Sequence, residues 1–353
     1  MAKILKVGVV GVGGIARLHM PGWDQSPHAE VVVGCDTDPN MLENWGKQFS
    51  IKRLTGHYDE LLRDPELDII DVCTPSRYHM PLAVAALDAG KHVICEKPLA
   101  VSADEVRQMI EARDRSGKML MTAHHLRFHG STQALRAEIS NGALGAIYYA
   151  RAWWLRRAAF PGRPSFWMKR HSGGGACLDL GVHVLDLALW LMGNPRPVSV
   201  SGVSKSELAA IPGTFSIWGN SNVPEGADVE EFAAAFVRFE NGASLSLEVS
   251  WLLHHDTPDD DRQVTLYGVK GGAHWPGCKI FQTSTTTRQL YTTQLEITRD
   301  NTPPHALECM EFARAIIEGI PSPVPAEQSL QVISILNAIY QSEISGHEIC
   351  LDS

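Results

Sequence analysis

The sequence lacks the features of several protein classes. It contains no run of about 18 apolar residues, which argues against a transmembrane helix. The N-terminal residues lack the apolar stretch and the cleavage site of a signal peptide, so we expect a cytoplasmic protein. The cysteines number seven and form no Cys-x-x-Cys pair. This odd, scattered set indicates neither a disulfide framework nor a zinc ribbon.

Basic residues are too few for a nucleic-acid partner. Lys and Arg together number 31 against 40 Asp and Glu, which gives a formal net charge of −9. An acidic chain repels a phosphate backbone over most of its surface. The 15 histidines show no His-Glu-x-x-His motif and no Cys/His metal-ligand spacing, so we predict no metal site either.

Length and hydrophobic patterning predict two domains. A chain of 353 residues exceeds a single domain of about 150 residues. Through residue 122, short Val- and Ile-rich runs alternate with helix-like stretches. The predicted strands are Val7–Val10, Val31–Gly34, Ile69–Cys73 and His92–Cys95, and the predicted helices are Ile15–Trp23, Met41–Phe49, Met80–Ala89 and Ala103–Ser116. This alternation predicts an α/β domain, a doubly wound parallel sheet over residues 1–122.

Residues 123–353 have a different pattern, dominated by strands. Asn241-Gly242 separates the alternating runs Phe232–Phe239 and Ala243–Trp251, which is typical of a β-hairpin. An apolar helix is predicted over Asp179–Leu191, and two further helices close the chain at Pro304–Ile317 and Ala326–Ser342. We therefore predict a C-terminal α+β domain with a large, mostly antiparallel open sheet.

A glycine-rich turn after the first strand predicts a dinucleotide site. The sequence Gly11-Val12-Gly13-Gly14-Ile15-Ala16 matches G-x-G-x-x-G/A at the start of a helix. Gly11 permits the tight turn, Gly13 lets a pyrophosphate approach the backbone, and Ala16 lets helix and strand pack closely. Asp36 follows the second strand at about the expected 20 residues. Its carboxylate would bind the ribose 2′-OH and repel a 2′-phosphate, so we predict NAD as the cofactor.

Further motifs resemble those of one enzyme family. The turn Thr74-Pro75-Ser76, followed by His79, precedes Glu96-Lys97-Pro98 at the end of the fourth strand. A glycine run, Gly173-Gly174-Gly175, precedes Asp179-x-x-x-His183. Together these motifs span nearly the whole chain, and they resemble the Gfo/Idh/MocA family of oxidoreductases, which includes glucose–fructose oxidoreductase and inositol dehydrogenase.

The resemblance implies a fold, a reaction and a set of site residues. The fold is a Rossmann domain followed by an α/β domain whose open sheet commonly makes oligomer contacts, hence a homodimer or homotetramer. The reaction is hydride transfer between NAD(P) and the hydroxyl of a sugar or cyclitol, with Lys97, Asp179 and His183 as catalytic residues. Cofactor contacts beyond the glycine loop are implied at Thr74, Pro75, His79, Glu96 and Lys97.

The chemistry of these residue types agrees with that reaction. Oxidising a secondary alcohol requires a base for the hydroxyl proton. Asp179 and His183 are four residues apart, which predicts one face of a helix, where the Asp can orient the imidazole that accepts the proton. Lys97 follows a predicted parallel strand, at the edge where ligands bind open α/β sheets, and can polarise the reacting oxygen.

Substrate contacts are predicted at His124, Arg127 and Trp153, in addition to the three catalytic residues. His124 and Arg127 follow the expected domain junction, where the family places groups that line the active site. Trp153 and Trp154 are neighbours in a predicted strand, so at most one of them faces the substrate. An exposed indole stacks on the apolar face of a sugar, whereas a buried or interface indole is the alternative.

Three functions are compatible with these motifs. The preferred one is an NAD-dependent dehydrogenase that oxidises a secondary hydroxyl of a sugar, glycoside, anhydrosugar or inositol. The alternatives are a glycoside hydrolase that keeps its NAD bound, and a non-catalytic regulator that senses sugar or NAD. Net reduction of NAD distinguishes the dehydrogenase from the hydrolase, because the hydrolase returns its hydride in each turnover.

Overall fold

The structure, a computed structural model, describes residues 3–218, 221–256, 260–297 and 302–351. The chain forms two compact units. The Rossmann unit comprises Met1–Phe128 and Asn301–Leu330. The sheet unit comprises His129–Asp300 and Gln331–Ser353.

Six described strands of the Rossmann unit form one parallel sheet in the order β3-β2-β1-β4-β5-β6. They are β1 (Leu5–Val10), β2 (Ala29–Cys35), β3 (Arg53–Thr55), β4 (Ile69–Val72), β5 (His92–Glu96) and β6 (Leu120–Ala123). The helices between them are α1 (Ala16–Gln25), α2 (Pro39–Phe49), α3 (Tyr58–Arg63), α4 (His79–Asp88) and α5 (Ala103–Ser116). This strand order confirms the predicted doubly wound fold.

The sheet unit is built on a nine-stranded sheet in the order β16-β15-β14-β13-β7-β12-β11-β8-β17. Its strands are β7 (Ile147–Leu155), β8 (Pro197–Lys205), β11 (Phe232–Phe239), β12 (Ser244–Ser250), β13 (Asp261–Gly268), β14 (Gly272–Trp275), β15 (Lys279–Ser284), β16 (Gln289–Gln294) and β17 (Ile349–Cys350); the short pair β9 (Phe215–Ser216) and β10 (Ser221–Asn222) lies apart. Among the described strands of this sheet, only β7 and β12 pair in parallel, which confirms the mostly antiparallel prediction.

The remaining helices are α6 (Gly130–Ser140), α7 (Pro164–Trp167), α8 (Lys169–Ser172), α9 (Val182–Met192), α10 (Pro304–Glu318) and α11 (Ala326–Ser345). The predicted helix over Asp179–Leu191 is wrong at its start. Cys177–Gly181 forms a π-helical turn, and α-helical geometry begins only with α9. The predicted hairpin is confirmed: β11 pairs with β12, and Gly242 between them has φ +82°.

Helix α10 explains why the two units differ from the predicted division at residue 122. The sequence pattern predicts that every residue after 122 belongs to the C-terminal domain, but the chain returns to the Rossmann unit at α10. Cys309 and Phe312 of this helix join the Rossmann core. Gly22 of α1 makes this packing close, since a Cβ there would lie 2.3 Å from the carbonyl oxygen of Ala306. Periodicity identifies the apolar stripe of a helix but not the core that it covers.

One helical stretch in the described part of the chain, Lys169–Met192, is long and apolar enough to span a membrane by length and composition. It contains the π-helical turn and α9, and 83% of its most apolar window is buried. Every residue of α9 from Val182 to Leu189 is buried. This is the pattern of a core helix in a folded domain.

Candidate active site

The glycine loop between β1 and α1 has the geometry of a phosphate cradle. Gly11 has φ +84°, and a Cβ there would lie 2.8 Å from the backbone of Cys73, so only glycine fits. Gly13 faces open space, because a Cβ there would meet no atom within 4 Å. Gly14 is exposed, Ile15 precedes α1, and Ala16 is fully buried against the core. The backbone at the start of α1 is therefore accessible to a pyrophosphate group.

Asp36 is held beside this loop by backbone hydrogen bonds. It follows β2 directly, and its Oδ2 accepts the N–H of Val12 across 2.9 Å. Its Oδ1 accepts the N–H of Asp38 at the same distance. Each carboxylate oxygen keeps a second lone pair for another donor, which is what binding to a ribose hydroxyl requires.

The turn after β4 provides a further group that fits NAD. Within the described residues, the hydroxyl of Thr74 is buried without a hydrogen-bond partner, and its methyl group packs against Gly11. A buried hydroxyl of this kind is satisfied when a polar ligand occupies the loop. The next residue, Pro75, is exposed. The open glycine loop, Asp36 and Thr74 thus form a set that fits the dinucleotide.

His79 and Glu96 are held by hydrogen bonds within the protein, and their implied contact with the cofactor stays a prediction. The two ring nitrogens of His79 lie 2.7 Å from the carbonyl oxygen of Pro98 and 2.8 Å from that of Thr74, so the ring links the turns after β4 and β5. Glu96 is 4% exposed and turns inward. Its Oε2 accepts the backbone N–H of Lys97 across 3.0 Å. Through these hydrogen bonds, both side chains support the turns that follow β4 and β5.

Lys97 is the first residue after β5, so it lies at the carboxyl end of a strand in the parallel sheet. Its side chain is half-buried. The bond from its backbone N–H to Glu96 fixes the start of the turn that carries it. The predicted location of Lys97 at the ligand-binding edge of the sheet is therefore the observed one.

Asp179 is positioned by the glycine run and by a buried glutamate of the sheet unit. Glu230 accepts the N–H groups of Gly175 and Cys177 across 2.8 and 3.0 Å, which holds the start of the π-helical turn. A Cβ on Gly175 would lie 1.9 Å from the carbonyl oxygen of Glu230, so the close approach requires glycine. Asp179, within the turn, accepts the indole N–H of Trp251 across 3.2 Å. π-Helical turns are often found at functional sites.

His183 is the second residue of α9 and is 5% exposed. Its ring lies 5.4 Å from the ring of Trp154, centroid to centroid. Trp154 is near the carboxyl end of β7, and Trp251, the partner of Asp179, directly follows the neighbouring parallel strand β12. Asp179 and His183 therefore contact the carboxyl ends of two adjacent parallel strands.

Trp153 is on the other face of the sheet from Trp154, because successive side chains of a strand alternate. Its indole donates to Asp261 across 2.9 Å, and Arg151 lies over its ring. The indole beside His183 is that of Trp154, and the predicted substrate contact at Trp153 stays a prediction. Alternation showed that only one could face the site, but not which one.

His124 and Arg127 follow β6 in the Rossmann unit, and each is 2% exposed. The guanidinium of Arg127 donates to Gln328 across 2.5 Å, which ties this segment to the first turn of α11. Their predicted role in substrate binding stays a prediction.

The Rossmann unit also contains a buried ionisable cluster that was not predicted from the sequence. His19, Asp71, Glu96 and Glu308 are each 4% exposed or less. His19, Asp71 and Cys309, and likewise His19, Glu96 and Glu308, lie close enough to share a metal ion. The sequence signal was present, since His19 lies on the apolar stripe Ala16, Met20 and Trp23, and Asp71 interrupts an apolar strand.

Comparison with known proteins assigns the chain to a family. Residues 5–124 match the oxidoreductase family with an NAD-binding Rossmann fold, and residues 132–274 match the GFO/IDH/MocA C-terminal domain. The chain is 31% identical to D-glucoside 3-dehydrogenase of Escherichia coli over 349 residues, covering 98% of this chain and 97% of the relative. It is 29% identical to levoglucosan dehydrogenase of Pseudarthrobacter phenanthrenivorans over 266 residues, covering 71% of this chain and 68% of the relative.

Solved structures share the fold. A levoglucosan dehydrogenase in complex with NADH superposes with a TM-score of 0.84 at 23% identity, covering 99% of this chain and all of that one. An oxidoreductase domain protein from Kribbella flavida superposes with a TM-score of 0.86 at 22% identity and similar coverage. With the glycine loop, Asp36 and both family matches in agreement, the chain belongs to the Gfo/Idh/MocA family and is an NAD-binding oxidoreductase.

Proposed function

We propose that this protein is an NAD-dependent dehydrogenase that oxidises a secondary hydroxyl of a sugar to the ketone, with a D-glucoside as the first substrate to test. The observation that carries the proposal is the 31% identity with D-glucoside 3-dehydrogenase over 98% of the chain. The similarity to levoglucosan dehydrogenase supports a ring with several hydroxyl groups. Glycosides, anhydrosugars and inositols share this chemistry.

The proposed roles follow from the chemistry of the residues. When bound, NAD⁺ supplies the acceptor for the hydride that leaves the carbinol carbon. His183 accepts the hydroxyl proton, and Asp179, fixed by the indole of Trp251, orients the substrate hydroxyls or the imidazole. The ammonium of Lys97 stabilises the oxygen as its negative charge develops, and it can take part in the proton transfer. One alcohol thus yields one ketone, with a proton released to solvent.

The experiment is a substrate panel with the purified protein and NAD⁺. Methyl D-glucosides, levoglucosan and myo-inositol are tested, and both NADH and the ketone product are measured. We expect NADH to accumulate in a one-to-one ratio with the ketone. Cleavage of a glycoside without net NADH would favour the NAD-retaining hydrolase instead. No turnover with any member, together with tight sugar binding, would favour the sensing regulator.

We also propose that the protein is a homo-oligomer, a dimer or tetramer. Phe281 and Leu290, which share one face of β15 and β16, are 39% and 85% exposed, which leaves apolar side chains exposed on that face of the outer strands. Light scattering with size-exclusion chromatography tests this. A monomer at micromolar concentration would contradict the proposal.

A further inference from the structure

His19 is fully buried on α1 and is bonded on both sides of its ring. Its Nδ1 lies 3.0 Å from Asp71 Oδ2, and its Nε2 lies 3.0 Å from Glu96 Oε1. Since a carboxylate only accepts, an imidazole that donates to both must carry two N–H groups. The geometry therefore describes an imidazolium between two carboxylates, inside the Rossmann unit.

The charges of the cluster agree with this geometry. Burial alone would lower the pKa of His19, but Cys309 and the carboxylate of Asp71 raise it well above the usual 6.5. Burial likewise opposes ionisation of Glu96, yet the bond and charge of His19 lower the pKa of Glu96 to about 2. Glu308, 3.6 Å from the same ring, has a pKa raised well above 4.5 by burial.

Glu96 connects this imidazolium to Lys97. While Oε1 faces His19, Oε2 accepts the backbone N–H of Lys97 across 3.0 Å. A carboxylate that is held at one oxygen by a charged donor has a fixed orientation for the other oxygen. The path from His19 through Glu96 to Lys97 thus joins α1, the helix that begins at the glycine loop, to the turn that carries the lysine.

We propose that His19 is a positioning residue for Lys97. Its bond to Glu96 fixes the carboxylate that holds the Lys97 backbone, and so sets the placement of the ammonium relative to the cofactor loop. The inference rests on the proposed role of Lys97 in the dehydrogenase reaction. Asp71 anchors the other side of the ring and also accepts the indole N–H of Trp23 across 2.8 Å.

Two substitutions of His19 separate its two bonds. The amide nitrogen of glutamine reaches the position of Nε2, so His19→Gln keeps a donor towards Glu96 and loses the one towards Asp71. The amide nitrogen of asparagine reaches the position of Nδ1, so His19→Asn keeps the Asp71 bond and loses the Glu96 bond. Both variants remove the same charge. If His19 has only a structural role, the two variants should lower kcat equally. If it acts through Glu96, they should lower kcat unequally.

The kinetic constants are measured with a methyl D-glucoside and NAD⁺. We expect His19→Asn to lower kcat roughly tenfold to a hundredfold, as displacement of a catalytic group by about 1 Å does. The KM for NAD⁺ should change little, and His19→Gln should retain most of kcat. Trp23→Phe is the control, because it removes a bond to Asp71 and leaves the Glu96 bond intact. It should lower the melting temperature without changing kcat.

A double-mutant cycle gives the second test, and it remains informative if one His19 variant is unstable. Glu96→Gln should lower kcat as His19→Asn does, and the two changes together should cost no more than either alone, because both break one link. Equal losses in His19→Gln and His19→Asn, additive losses in the cycle, or a stoichiometric metal ion bound through His19 would each overturn the inference. Lys97→Met separates the role of His19 from that of Lys97. If Lys97→Met is fully active, the proposed role of Lys97 fails, and if it alone is inactive, only the role of His19 fails. If the natural chain forms no NADH from the sugar, the proposed function itself fails.

Discussion

The indole N–H of Trp251 donates a hydrogen bond to Asp179 across 3.2 Å, from a side chain that is fully buried. Asp179 lies in the π-helical turn that replaces the predicted start of a helix. This buried donor, directly after β12, holds Oδ2 of the carboxylate. The proposed catalytic role of Asp179 therefore depends on Trp251, a residue that no motif in the sequence pointed to.

The first prediction concerns this bond. Trp251→Phe should lower kcat roughly tenfold or more, because Asp179 loses the donor that orients it. Trp45→Phe is a matched control, since Trp45 is equally buried and, within the described residues, its indole N–H has no hydrogen-bond partner. Steady-state kinetics and melting temperatures are measured for both. Equal effects on kcat would show that the Trp251–Asp179 bond has no catalytic consequence.

A second prediction concerns cofactor choice. Asp36→Asn should raise the KM for NAD⁺ roughly tenfold to a hundredfold, because a hydrogen bond to a charged group contributes about 1.5–3 kcal/mol. It should also reduce discrimination against NADP⁺, since the repulsion of the 2′-phosphate is lost. Asp38→Asn removes the same charge two residues away, and asparagine caps α2 equally well. The Asp38 variant should keep its preference for NAD⁺, and a similar change in both variants would contradict the assignment of Asp36.

The third prediction tests the glycine run. Gly175→Ala should destabilise the sheet unit by at least about 3 kcal/mol, because its Cβ would collide with the carbonyl of Glu230 at 1.9 Å. Gly162→Ala introduces a Cβ with no atom within 4 Å and should change stability by less than about 0.5 kcal/mol. Urea denaturation measures both. Near-equal stabilities would show that this contact does not hold the π-helical turn.

A fourth prediction follows from Glu308. Burial raises the pKa of this carboxyl group well above its ordinary 4.5, so the folded protein binds a proton that the unfolded chain releases. Its contribution to stability is fully present below pH 4.5 and is lost as pH rises towards the raised pKa. Glu308→Gln cannot ionise, so the variant should gain stability over the natural chain as pH increases. Urea denaturation between pH 5 and about pH 8 measures the difference. A difference that does not change with pH would mean that Glu308 is ionised when buried.

The sequence predicted those parts of the fold in which burial is uniform. The strands at Val7–Val10 and Ile69–Cys73 were recognised because strands inside a parallel sheet are apolar on both faces. The three-residue strand β3 was missed, since Arg53–Thr55 is partly exposed and gives no apolar run. The cofactor loop was recognised because its glycines have conformational and packing requirements that other residues do not meet.

Partners across the fold could not be predicted from spacing. The four-residue separation of Asp179 and His183 suggested an α-helical face, yet a π-helical turn intervenes, and each residue has its own tryptophan, Trp251 and Trp154. His19 was visible as a polar residue on an apolar stripe. Its bonds to Asp71 and Glu96 join residues 52 and 77 positions away, which only the tertiary structure reveals.

The central claim is that Lys97 serves oxidation of a sugar hydroxyl by NAD⁺, and single-turnover kinetics test it most directly. Enzyme in excess over a methyl D-glucoside is mixed with NAD⁺ in a stopped-flow instrument, and the appearance of NADH is recorded for the natural chain and for Lys97→Met. The account predicts one NADH per glucoside with the natural chain. It predicts a rate lower by about 10²-fold or more in the variant. Equal rates in the two proteins, or glucoside consumed without NADH, would contradict it.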